Sequence, residues 1–157
     1  MMHGSSKLNV PPDRIARMTD FELGDRMSTG SVIVTEEEII SFALQFDPQA
    51  IHIDHESARE QFFGRLVGSG WQVAALTMKL MVEAKILGAT PLIGVEVDRI
   101  RFERPLFPGD TLRAEAMVIG KRVSEKSNRG FLTLALQTFQ QEDRLVMTQQ
   151  WTLLLSA

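Results

Sequence analysis

The stretch from about Gly70 to Leu87 constrains this chain more than any other. Trp71, Val73, Ala74, Ala75, Leu76, Met78, Leu80, Met81, Val82, Ala84, Ile86 and Leu87 leave little of it polar. A helix apolar almost all round has to be buried on most of its sides. Lys79 and Glu83 can pair along the remaining polar stripe, and Gly88 and Pro91 supply a stop. The period then changes. Val95, Val97, Ile100 and Phe102 lie in an extended run to Pro105, and Leu112, Ala114, Ala116 and Val118 alternate with polar residues. Phe131 to Phe139 and Leu145 to Leu155 read as two more strands. Turn residues separate them at Phe107-Pro108-Gly109-Asp110, Ser127-Asn128-Arg129-Gly130 and Gln141-Glu142-Asp143. Four long strands in meander after a helix predict an antiparallel sheet with helices to one side, an α+β fold. A curved sheet wrapped around the apolar helix is the economical way to bury it.

The first half of the chain supplies shorter pieces. Phe21-Glu22-Leu23-Gly24-Asp25 predicts a short strand ending in a turn, and Ser31 to Val34 a second extended piece. Thr35-Glu36-Glu37-Glu38 is a strong helix start: Thr35 can cap, Glu38 can reciprocate, and the carboxylates suit the positive end of the dipole. Ile39, Phe42, Ala43 and Phe46 share one face of that helix, and Asp47-Pro48 ends it. Ser57-Ala58-Arg59-Glu60 repeats the capping pattern and predicts a short helix to about Phe63, ended by Gly64. Residues 1–18 are expected to form a flexible tail and 19–157 a single domain, since 157 residues suffice for one core.

Composition excludes several functions. The net charge is −3 with no block of like charge, which argues against a nucleic-acid partner. With no cysteine there is no disulfide, no thiolate nucleophile and no cysteine metal site. No apolar run approaches the roughly 20 residues of a membrane helix, and the N-terminus has no secretory pattern. A cytoplasmic location is the expectation that fits.

Chemistry concentrates in two places. Asp47 stands five residues before His52, across a helix-breaking Pro. A helix-ending Asp-Pro turn followed by an unrelated His would spell the same letters. Yet the carboxylate sits at a helix C-terminus, where the dipole opposes negative charge, and such an environment suits a tuned acid or base. An extended backbone would point His52 away from Ile51 and Ile53. Downstream, Gly68-Ser69-Gly70 opens the long helix. Gly70 N–H can receive negative charge there, and small residues allow close approach. An acid, a base and an open helix N-terminus are enough to add water to an activated acyl chain, or to remove it. His55 reads as a solvated residue near a helix start. Trp71 and Trp151 read as core or interface residues, and Arg65, Lys121 and Arg122 as ordinary surface charge unless they meet phosphates.

Three segments, in order, carry a resemblance: Asp47-Pro48-Gln49-Ala50-Ile51-His52, Ser69-Gly70-Trp71, and the run from Arg101 through Phe107-Pro108-Gly109-Asp110 to Leu112. Over roughly residues 20 to 155 the chain resembles the hot-dog fold, and within it the MaoC-like dehydratases and R-specific enoyl-CoA hydratases. That family's motif is Asp, x-Asn-Pro-aliphatic, His; Gln49 and Ala50 stand where Asn and Pro are usual. Ser69-Gly70-Trp71 aligns with the family's His-Gly-Met, and Ala75 stands where a Ser often supports the Asp.

The resemblance implies hydration of a trans-2-enoyl-CoA, or dehydration of a 3-hydroxyacyl-CoA, with Asp47, His52 and Gly70 catalytic. It implies Gly68, Ser69 and Trp71 as substrate-binding residues. It further implies a homodimer with the pocket at the interface, coenzyme A only as part of the substrate, and no metal or redox cofactor. Two alternatives stand beside it. An acyl-CoA thioesterase would want a helix carboxylate nearer the start than Glu83. A non-catalytic acyl-CoA or small-ligand binding protein is suggested by Ala75 and Gln49-Ala50.

Overall fold

The computed structural model describes residues 9–157. Strands β1 (Arg26–Ile33), β2 (Ile93–Phe102), β3 (Thr111–Val123), β4 (Arg129–Gln140) and β5 (Arg144–Ser156) make one antiparallel sheet in the order β1-β3-β4-β5-β2. Helices α1 (Glu36–Phe46), α2 (His55–Arg59) and α3 (Gly70–Glu83) fall between β1 and β2 in sequence. The period-2 pattern puts Leu112, Ala114, Ala116 and Val118 of β3 in the core with Leu132, Leu134 and Leu136 of β4 and Trp151, Leu153 and Leu155 of β5. Val73, Leu80 and Met81 of α3 join them. This is the expected α+β hot-dog arrangement. Among the described residues no helix is long and apolar enough to cross a membrane.

One polar contact ties α3 to the sheet. Thr77 Oγ1 donates to the Val73 carbonyl at 2.8 Å, so the Thr138 hydroxyl of β4 donates to Thr77 Oγ1 at 2.6 Å. Both threonines are buried. Thr77→Val is therefore expected to strand the Thr138 hydroxyl and cost about 1–3 kcal/mol in urea unfolding. Thr77→Val with Thr138→Val should recover most of that loss, since both partners then go.

Several local expectations are corrected. The long helix stops at Glu83 rather than Leu87: Lys85 turns at φ 50° and Gly88 at φ 60°, and this turn carries Ile86 and Leu87 into the core. Nor is α3 buried on most sides, because Trp71 is 56% exposed and Val82 50%. Of the two extended pieces near the N-terminus, only the second belongs to a strand, β1, which starts earlier, at Arg26, and carries a register shift between Ser28 and Ser31 near Thr29 Oγ1, which accepts from Ala114 N–H. Phe21 to Asp25 lies before that strand. Helix α2 begins at His55 because Asp54, not Ser57, is the cap, and it ends at Arg59, short of Phe63. Phe46, placed on the buried face of α1, is 69% exposed.

The expected tail is the largest correction. Its first eight residues, His3 among them, lie outside the described ones, but Val10, Ala16 and Met18 are buried. Ala16 N–H donates to Thr90 Oγ1 at 2.7 Å, Ile15 bridges to Gly88, and Arg17 bridges to Ser156. Met18 occupies the space a side chain at residue 130 would need, so Gly130 is its seat.

Candidate active site

The end of α1 sets the first group. Thr35 and Glu38 form the capping box, and the helix runs until Pro48 forces Asp47 out of helical geometry, to φ −152° and ψ 68°. The chain then turns as a 3-10 segment, Ala50–His52, instead of extending. That turn, rather than strand alternation, brings His52 back: its Nε2 lies 3.2 Å from Asp47 Oδ2. A second tether fixes the ring. Ile51 O accepts from Val67 N–H at 3.2 Å, and Val67 O faces His52 Nδ1 at 2.6 Å. A carbonyl only accepts, so Nδ1 carries its hydrogen and Nε2 is the atom that gains and loses a proton.

Asp47 is held by three neighbours. Ser69 Oγ donates to Oδ2 at 2.6 Å, Gln49 Nε2 donates to Oδ1 at 2.7 Å, and His52 completes the set. The Ser69 hydroxyl foremost, with Gln49 and His52 behind it, holds the Asp47 carboxyl below the usual carboxylate range, while partial burial pushes the other way. The expected opposition from the helix dipole does not decide the direction; the donors do.

The entry to α3 supplies the rest. Gly68 N–H donates to Leu106 O at 2.7 Å, and Ser69 Oγ accepts from Trp71 N–H at 3.2 Å, capping the helix. Gly70 N–H, in the first helical position, has no acceptor within the helix. The glycines are small for packing reasons. A Cβ at residue 70 would lie 2.5 Å from Phe102 Cε1, and one at residue 68 would lie 2.6 Å from Leu106 Cδ2.

Asp47, His52, Gly68, Gly70 and Trp71 all line one cavity of about 430 Å³. Ser69 is wholly buried and meets it only through Asp47. Gln49, Phe63, Phe102, Glu103, Arg104, Leu106 and Met147 also line the cavity and were missed. Gln49 had a signal in its place in the Asp–His motif, and Phe102, Glu103, Arg104 and Leu106 had one in the run from Arg101 that carries the family resemblance. Trp71 packs edge-on to Phe102 at 5.8 Å between centroids, both rings more than half exposed, and Trp151 belongs to the core.

The other candidates fall outside. The His55 ring is exposed against Glu36, while His52 faces Asp47, so the two do not converge on a metal. Glu83, beside Lys79, ends α3 roughly 20 Å along its axis from Gly70. Lys121 Nζ donates to Phe21 O, Arg122 stacks on Phe131 and Arg65 on Phe107; the cation on the cavity wall is Arg104.

The chain was compared with known proteins. It is 30% identical over 139 residues to the uncharacterized protein YdeM of Bacillus subtilis strain 168, spanning 88% of this chain and 98% of that one. A match of 31% identity over 91 residues links it to 3-hydroxyacyl-thioester dehydratase Z of Mycobacterium tuberculosis, over 57% of this chain and 60% of the other. Among solved structures, a MaoC-like dehydratase from Rhodospirillum rubrum superposes with a TM-score of 0.79 at 32% identity, covering 88% of this chain and 94% of that one. The model of the MaoC-like domain matches residues 20–138, which include the cavity's Asp47–His52 turn and the start of α3, and the chain belongs to that family.

Proposed function

We propose that this protein hydrates trans-2-enoyl-CoA thioesters to 3-hydroxyacyl-CoA, and dehydrates them in reverse, with Asp47 and His52 as the acid–base pair. The observation that carries this reading is the pairing of Asp47 Oδ2 and His52 Nε2 at 3.2 Å on a cavity that also receives the first turn of α3. The pair binds one water. As the water's oxygen bonds to C3, the alkene electrons shift toward the thioester and negative charge grows on its oxygen. One member of the pair takes the water's proton, and a proton from the pair goes to C2, so the product gains one H and one OH. Gly70 N–H and the helix dipole stabilise the charged oxygen. Membership of the MaoC-like family and the dehydratase names of two relatives support the same reaction class.

A carboxylate suited to thioester hydrolysis is missing from the early turns of α3, whose one acidic residue is Glu83 at its far end. The edge strand β2 is exposed along its length, with Ile93, Val95, Val97 and Phe102 each about half exposed. That open edge supports a homodimer in which β2 pairs with its copy and covers Trp71 and the mouth of the cavity. Light scattering at micromolar concentration is expected to give twice the chain mass.

The test of function is loss of enoyl absorbance across a panel of trans-2-enoyl-CoA chain lengths, with product identified by mass. A 3-hydroxyacyl-CoA product is expected. Free coenzyme A would replace this reading with a thioesterase, and binding without turnover on every chain length would replace it with a ligand-binding protein.

A further inference from the structure

We infer that Ser69, the N-cap of α3, is the positioning residue for Asp47. The inference rests on the proposed hydration, in which Asp47 handles the proton of water. Ser69 is fully buried, so its hydroxyl has no solvent to satisfy it. Its oxygen accepts from Trp71 N–H at 3.2 Å, and its one hydrogen goes to Asp47 Oδ2 at 2.6 Å. Capping a helix uses only the acceptor lone pairs. The hydrogen is therefore free to serve the carboxylate, and the short distance is that of a charge-assisted bond.

Position 75 lies on another side of α3, lining a groove with Phe42, Gln72 and Leu76 rather than the cavity. A side chain there would not reach the Asp47 cavity in this chain. The single atom Ser69 Oγ joins the carboxylate to the first turn of the helix whose N-terminus is to receive the thioester oxygen. The two ends of the reacting acyl group are thus referred to one fixed point. The ionisable groups sharing the cavity with Asp47 are His52 from the 3-10 turn, and Glu103 and Arg104 after β2. His52 lies in contact with Asp47 Oδ2.

Ser69→Ala and Ser69→Gly separate positioning from capping, because Gly is nearly as good an N-cap as Ser while Ala is much poorer. Both variants are expected to lower kcat about 10- to 100-fold, with KM within about threefold. In both, the acid limb of kcat/KM should move to higher pH, since the main donor stabilising the charged carboxylate is gone. Ser69→Thr, which retains a hydroxyl, should restore the pH profile. A role in capping alone predicts a lower melting temperature for the Ala variant, little change for Gly, and an unmoved pH profile in both; that result overturns the inference. If the wild type hydrates nothing, the proposed function fails but this inference is still decided. Carbon-13 titration of the Asp47 carboxyl in the free protein should shift to higher pH in Ser69→Gly, and an unchanged titration overturns it.

Discussion

Asp47→Asn is expected to lower kcat/KM for enoyl-CoA hydration by about 10³-fold or more, within the range a positioned acid or base contributes. Asn preserves the shape at the end of α1, and its amide oxygen can still accept from Ser69. What it cannot do is exchange a proton at neutral pH. In the wild type the carboxyl is held below the usual range by Ser69, Gln49 and His52, so it is ionised there, and the substitution also removes a charge beside His52. His52→Ala is expected to cost a similar factor, because Nε2 loses its place 3.2 Å from Oδ2. The double variant should fall little below the worse single one. Groups that share one water and one proton act as a unit, and their losses do not add. Full additivity in the double variant would mean that the two residues do not serve one step, and wild-type rates in either single variant would place the chemistry elsewhere.

The sequence made the fold readable where its patterns are local. Alternation along β3, β4 and β5 needs nothing beyond neighbouring residues, and each strand sits where that alternation puts it. The capping box at Thr35 and the stop at Pro48 are equally local, and both ends of α1 follow from them. The Asp47–His52 spacing is visible in the letters, but their contact is not a property of spacing. It depends on a 3-10 turn at Ala50–His52 and on Val67, which clasps both Ile51 and His52 from fifteen or more residues away. Ser69 shows the limit most clearly. It reads as a cap or a substrate contact, and its bond to a carboxylate 22 residues earlier exists only once the end of α1 meets the start of α3. The direction of the Asp47 shift is hidden in the sequence for the same reason. The helix dipole is written in the sequence, whereas the donors that outweigh it come from tertiary contact.

The N-terminal segment was misread because a glycine seat cannot be recognised from its own side, and Gly88→Ala measures how much that seat matters. Gly88 combines two demands. Its φ of 60° is a conformation that costs an L-residue about 1–2 kcal/mol. A Cβ there would also run into the Arg14 carbonyl and lie 2.6 Å from the Pro11 carbonyl. These are backbone atoms that cannot rotate aside. The Arg14 carbonyl is further committed to Ala89 N–H at 2.8 Å. The expected loss for Gly88→Ala is about 2–5 kcal/mol in urea unfolding, the sum of backbone strain and overpacking. Gly24→Ala is the control. It has φ 90° but nothing within 4 Å of the added carbon, so strain alone should cost about 1–2 kcal/mol. None of residues 9–18 lines the cavity, so hydration by the folded fraction of Gly88→Ala should stay near wild type. Equal losses in the two variants would mean that the packing of Val10, Pro11 and Arg14 against Gly88 contributes no stability. A larger loss at Gly88, with activity kept, would show that the segment before β1 is part of the core and stands apart from the chemistry of the site.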